Sequence, residues 1–140
     1  MADLKDEYLD IGENLRFYGN LRFAQLTLFF AVTGAIIAAL FTINPPLPSQ
    51  VRFLLKWVGL AMTILFWLME KSSSWFWVYY VERAQVIEKV LGYYQYTGRN
   101  PKIRKQYWIW KCLNATNAVR GIFLVMFVFW LIMIIWHTEY

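Results

Sequence analysis

The sequence WVGLAMTILFWLMEKSSSWFWVYYVERAQVIEKVLGYYQY, residues 57–96, decides the fold. Its first part, residues 57–69, is apolar without interruption, and charge first appears at Glu70 and Lys71. Apolar residues, among them Ala84 and Ile87, then recur at helical spacing with Glu88 off their stripe, and the stretch contains two glycines and no proline. This pattern predicts one long helix that crosses a membrane and then continues into water.

The composition of the whole chain is typical of a membrane protein. Of the 140 residues, 59% are hydrophobic and 16% are charged, whereas soluble domains average about 45–50% and about 25%. The apolar residues gather in three blocks, which predicts an all-α integral membrane protein with an N-terminal amphipathic helix and three transmembrane helices. The length allows one membrane domain, residues 1–140.

The apolar blocks and the helix breakers between them predict the order of the segments. The prolines that follow the first block end its helix, and a turn this short makes the next span an antiparallel neighbour. The predicted segments are a cytoplasmic amphipathic helix over 3–20, the first span over 23–43, the second span over 53–71, its cytoplasmic helical extension over 72–96, a basic loop over 97–111 and the third span over 113–136.

Small residues recur four positions apart in the first span. Ala31 and Ala35 form one pair, and Gly34 and Ala38 form another. Small residues at this spacing allow a second helix to approach closely. Since such pairs also arise by chance, they form either a packing face or a coincidence of composition.

The distribution of lysine and arginine predicts the orientation. Residues 70–111 carry eight of these cations and the segment before the first span carries three, whereas the C-terminal tail has none. The positive-inside rule therefore places the N-terminus in the cytoplasm and the C-terminus outside. Because basic residues beside spans set topology, we expect the lipid bilayer and no nucleic acid as a partner.

Groups that could carry out catalysis are scarce. The chain has one histidine, His137, one cysteine, Cys112, and no carboxylate in the middle of a predicted span. It contains no phosphate-binding glycine loop, metal-ligand spacing or catalytic triad pattern. We therefore expect no enzyme, no cofactor and no metal site.

A polar cluster at the cytoplasmic ends of the second and third spans is the candidate site. Unpaired polar groups are costly in lipid, so these side chains should face protein or water. They form either interhelical hydrogen bonds or the cytoplasmic mouth of an oligomeric pore. Glu70 and Lys71 lie at the same depth as Arg120, and the Glu70 carboxylate is placed to pair with Arg120 within or between subunits. The cluster comprises Asn114, Thr116, Asn117, Arg120, Glu70 and Lys71.

Opposite charges on the cytoplasmic side predict contacts between helices or between subunits. Three spans alone bury little surface, so we expect a homo-oligomer, with room for a cytoplasmic protein partner. The predicted pairing joins Asp6, Asp10 and Glu13 to Arg99, Lys102, Arg104 and Lys105.

Two stretches carry a resemblance to a known group. The sequence from Asn14-Leu15-Arg16-Phe17 to Gln25, leading into the first span, and Val81–Gly92, after the second, are similar to SLATT-domain proteins and RipA-type octameric membrane proteins of bacteria. The third span departs from the two-span version of that group. The resemblance implies a homo-oligomer that controls membrane permeability, in some members as a pore-forming effector of antiviral defence.

Two functions remain open from the sequence. The first is a homo-oligomeric inner-membrane protein that forms or gates a pore or channel, with a role in bacterial defence. The alternative is a non-conducting accessory or structural subunit of a larger membrane complex.

Overall fold

The computed structural model describes residues 2–42, 47–98 and 115–136. All regular structure within these ranges is helical. Three helices in it are long and apolar enough to cross a membrane. The prediction of an all-α chain with three potential spans is therefore confirmed, and this architecture is typical of a multi-pass membrane protein.

The first helix, α1, joins two segments that the sequence analysis separated. It spans Ala2–Phe41 without a break, and so contains the amphipathic segment 3–20 and nearly all of the apolar segment 23–43. No proline lies between the two segments, so the backbone hydrogen bonds continue across the change from polar to apolar sequence. The predicted boundary is a change from polar to apolar sequence and not a change of backbone structure.

The second helix, α2, is the long helix that its sequence predicts. It spans Ser49–Leu91, and it ends five residues before the predicted end at Tyr96. Gly92 stops it in the left-handed conformation, with φ of 74°, and its N–H donates to the Glu88 carbonyl at 2.8 Å. A glycine without Cβ adopts this conformation at little cost, which explains the earlier end.

The third helix, α3, spans Ala115–Ile135 and lies inside the predicted range 113–136. Apolar layers show how the helices run: α1 and α2 are antiparallel, and α3 is antiparallel to α2. One layer contains Phe29, Phe66 and Phe123, with the ring centroid of Phe29 4.8 Å from that of Phe123. This layer takes one aromatic ring from each helix.

A second three-helix layer lies nearer the C-terminal ends of α1 and α3 and the N-terminal end of α2. It contains Ile36, Leu60 and the fully buried Trp130. The indole of Trp130 lies against Gly59, where a Cβ would collide with the ring. The absence of a side chain at this position is therefore what allows α3 to pack closely on α2.

Beyond these layers the structure continues as a two-helix hairpin of α1 and α2. Its core consists of Ile11, Leu15, Ala84 and Ile87. At 40 and 43 residues, α1 and α2 are about 60 and 65 Å long, whereas a bilayer core is about 30 Å thick. Half of the hairpin therefore extends beyond any span that it makes.

Candidate functional site

An ion pair between Arg22 of α1 and Glu70 of α2 lies where the apolar segments begin. The Arg22 Nε donates to both carboxylate oxygens of Glu70, at 2.9 and 3.1 Å, and Nη2 donates to Oε1 as well. The Glu70 side chain is only 5% exposed and that of Arg22 is 21% exposed. Two-point contact of this kind is the strong form of an ion pair between side chains.

The ion pair also contacts α3. The Arg22 Nη2 lies 3.4 Å from Thr116 Oγ1, in the first turns of α3. The Ser74 hydroxyl donates to Glu70 Oε1 at 3.0 Å, and the Ser73 hydroxyl donates to Gln25 Oε1 at 3.4 Å. All three helices are thus joined by polar contacts at one level of the bundle.

The expected pairing of Glu70 with Arg120 is not what the structure shows. Glu70 pairs with Arg22, 48 residues earlier in the chain. Arg22 is the last charge before the first span, and Glu70 is the first charge after the uncharged residues 57–69 of the second. These two positions meet in an antiparallel hairpin, so the sequence offered a signal for the pair, although the pattern of either helix alone does not fix the register of the two helices.

The other members of the predicted cluster lie on the outside of the bundle. Lys71, Asn117 and Arg120 are exposed, and neither Lys71 nor Arg120 forms an ion pair with any residue that the structure describes. Together with Ser72, these residues line an open groove of about 940 Å³ between α2 and α3. Asn114 lies outside the described residues.

A second buried carboxylate, Glu88, lies at the far end of the hairpin. Glu88 is fully buried, although the sequence pattern had placed it on the polar face of α2. Its oxygens accept hydrogen bonds from the Tyr8 hydroxyl at 2.8 Å, the Tyr96 and Thr97 N–H groups at 2.8 Å each, and the Thr97 hydroxyl at 2.9 Å. Glu88 thereby ties the turn after α2 to the first turns of α1.

The contact between Glu88 and Tyr8 lies in an environment that shifts the pKa of both side chains. Burial raises the pKa of Glu88, but the hydrogen bonds from Thr97, Tyr96 and Tyr8 outweigh burial and hold its pKa below the ordinary value. Burial, and then the hydrogen bond to the Glu88 carboxylate, raises the pKa of the Tyr8 hydroxyl. The carboxylate stays charged and the phenol stays protonated near neutral pH.

The pairing predicted for the acidic residues of α1 stays a prediction. Asp6, Asp10 and Glu13 are exposed, and the neighbouring Glu7 accepts a hydrogen bond from Arg83 Nε at 2.7 Å. The predicted basic partners lie outside the described residues; they are Arg99, Lys102, Arg104 and Lys105.

The small residues of the first span lie outside the packed faces that the structure describes. Ala31, Gly34, Ala35 and Ala38 are all exposed, and a Cβ at Gly34 would meet no atom within 4 Å. The helix packs instead through a face that includes Phe29 and Ile36. We refer to Ala31, Gly34, Ala35 and Ala38 as the small-residue face.

No group of three or more His, Cys, Asp or Glu side chains in residues 2–42, 47–98 and 115–136 is arranged to hold a metal ion. Comparison of the chain with protein families, with curated proteins and with solved structures finds no match.

Proposed function

We propose that the protein is a homo-oligomeric membrane protein that forms or gates a pore, with its N-terminus in the cytoplasm. The observation that carries this proposal is the contact of Arg22, Glu70 and Thr116 across all three helices at the edge of the apolar segments. Ionisable groups within membrane-spanning helices are rare and mark candidate functional sites. In this proposal the ion pair holds the cytoplasmic entrance closed.

The surface of a single chain supports the self-association in this proposal. The small-residue face is exposed along the first span, where close approach of another helix is easy. Outside the span, Trp75 and Tyr79 stack on the surface of α2 and are 65% and 53% exposed. Further copies of the chain would cover both surfaces.

Loss of the ion pair would release α3 from the hairpin at this level. Arg22 holds Thr116 only while it is itself held by Glu70, and removal of one partner leaves the other charge unpaired. An unpaired charge at the membrane margin recruits water. Hydration between the helices is the opening step that we propose.

Ion efflux from liposomes that contain the purified protein tests this function. Glu70→Gln should raise the efflux rate, and the reversed pair Arg22→Glu/Glu70→Arg should return it toward the wild-type rate. Glu82→Gln, which removes an exposed carboxylate from the same helix as Glu70, is the matched control and should leave efflux unchanged.

Removal of one partner of a buried ion pair costs about 3–5 kcal/mol, so circular dichroism should first establish that Glu70→Gln retains its helices. If wild type and every folded variant fail to conduct, the pore is excluded and the non-conducting accessory subunit becomes the better interpretation.

A further inference from the structure

Two grooves between α2 and α3 meet at the same pair of cations. The groove of about 940 Å³ described above is lined by Lys71 and Arg120. A second groove, of about 510 Å³, is lined by the same two residues and runs along the apolar part of both helices. A polar groove and an apolar groove therefore adjoin at two cations, and we call the two grooves together the α2/α3 depression.

The apolar part matches a hydrocarbon chain in its chemistry. Because α2 and α3 are antiparallel, Lys71 and Arg120 lie at the same end of it. The remainder of its wall is provided mainly by apolar side chains, among them Ile64, Trp67, Leu124 and Phe127. Contact of water with such an apolar wall is unfavourable, whereas contact of an acyl chain with it is favourable.

The polar part carries positive charge that the described residues do not neutralise. Arg22, Lys71 and Arg120 line it, and the nearby Glu70 is already paired with Arg22. The hydroxyl of Ser72 and the amide of Asn117 lie in the same wall. Two cations beside neutral hydrogen-bonding groups form a site for a phosphate group.

We propose that the α2/α3 depression binds an anionic phospholipid, with its phosphate at Lys71 and Arg120 and one acyl chain in the apolar groove. Basic pockets between transmembrane helices bind anionic lipid headgroups, and the inner leaflet supplies such lipids. This role is separate from the pore-lining one predicted for Lys71 and Arg120. It does not depend on whether the protein conducts ions.

The combination of charge and apolar length separates this occupant from a free phosphate. An inorganic anion would use Lys71 and Arg120 and leave the apolar groove empty. A neutral lipid would use the groove and gain less from the cations. Only an anionic lipid uses both parts of the depression.

Native mass spectrometry of the detergent-purified full chain tests the proposal. The probes are phosphatidylglycerol, phosphatidylcholine and inorganic phosphate, and the readout is lipid bound per chain. Phosphatidylglycerol should bind more tightly than phosphatidylcholine, and Lys71→Gln/Arg120→Gln should weaken its binding by about thirtyfold, given the contribution of each cation near a membrane surface.

Two further variants separate the site from general attraction between charges. Lys5→Gln/Lys89→Gln removes the same charge from two exposed lysines elsewhere and should leave binding of phosphatidylglycerol unchanged. Leu124→Trp, at a side chain that is 64% exposed, should obstruct the apolar groove and weaken lipid binding.

Three results would overturn the proposal. These are equal binding of the two lipids, an equal loss in the two double variants, and displacement of phosphatidylglycerol by millimolar inorganic phosphate. Circular dichroism of each variant establishes that a loss of binding is not a loss of fold.

Discussion

At the scale of single residues, the structure buries two carboxylates and stabilises them in different ways. Glu70 is opposed by the charge of Arg22, whereas Glu88 is surrounded by neutral donors from Tyr8, Tyr96 and Thr97. A carboxylate that accepts several N–H and O–H bonds can remain ionised without a cation. The charge of Glu88 is therefore part of the fold of the hairpin end.

Replacement of Glu88 should change how stability depends on pH. Because the folded-state pKa of Glu88 lies below the ordinary value of 4.5, its stabilising effect is complete above that pH and is lost as the pH falls through the folded-state pKa. We expect Glu88→Gln to lower Tm at pH 7 and to reduce the further fall in Tm between pH 5 and pH 3, measured by circular dichroism in detergent.

Glu82→Gln, at an exposed position of α2, is the control and should retain the wild-type dependence on pH. Equal acid sensitivity of wild type and Glu88→Gln would show that Glu88 does not contribute in this way.

At the scale of helices, periodicity predicted the helical faces but could not predict their partners. The stripe of α2 was visible in the sequence, and Ala84 and Ile87 are indeed buried against α1. The helical pattern predicts that Glu88 is solvated, because a charge beside an apolar stripe usually is. In the structure its oxygens accept hydrogen bonds from the turn after the helix, and the pattern of the helix does not contain that turn. Likewise, the pairing of Arg22 with Glu70 depends on the register of two helices, which the pattern of one helix does not contain.

The small-residue face of α1 leads to a prediction at this scale. Gly34→Ile/Ala38→Leu should weaken self-association by about tenfold, or ~1.4 kcal/mol, because the larger side chains prevent close approach of a second helix. Size-exclusion chromatography with light scattering over a range of protein concentrations measures the effect.

Val125→Phe adds volume at an exposed position of α3 and should leave the oligomer intact. An unchanged oligomer in Gly34→Ile/Ala38→Leu would place the contact between copies elsewhere.

At the scale of the whole molecule, the hairpin has one polar end and, at the opposite end, the C-terminus of α1 and the N-terminus of α2. Lysine and arginine are concentrated on the side of the polar end, which agrees with a cytoplasmic location in the proposed arrangement. The three apolar blocks of the sequence predicted the number of potential spans, because each block is long enough to be recognised as a span without the other two. The level at which polar contacts join the three helices depends on how the helices are aligned, and only the structure shows that alignment.

Labelling of single cysteines tests the proposed orientation. In a Cys112→Ser background, Thr42→Cys should react with a membrane-impermeant maleimide in intact cells, whereas Asp3→Cys should react only after the cells are lysed. Thr42 and Asp3 are both exposed, so access within the chain is matched. Labelling of Asp3→Cys in intact cells would reverse the orientation.

The continuity of α1 and α2 has a mechanical consequence. Neither helix is broken at the level of Arg22 and Glu70, so each is one continuous rod. We call the two parts of each rod, on either side of that level, its arms. A sideways force on the arm that carries Tyr8 and Glu88 acts as a torque on the arm that contains Phe29 and Phe66. In a bilayer, a molecule that binds only the distal arm would thereby tilt the membrane-embedded one, without a hinge and without entering the lipid.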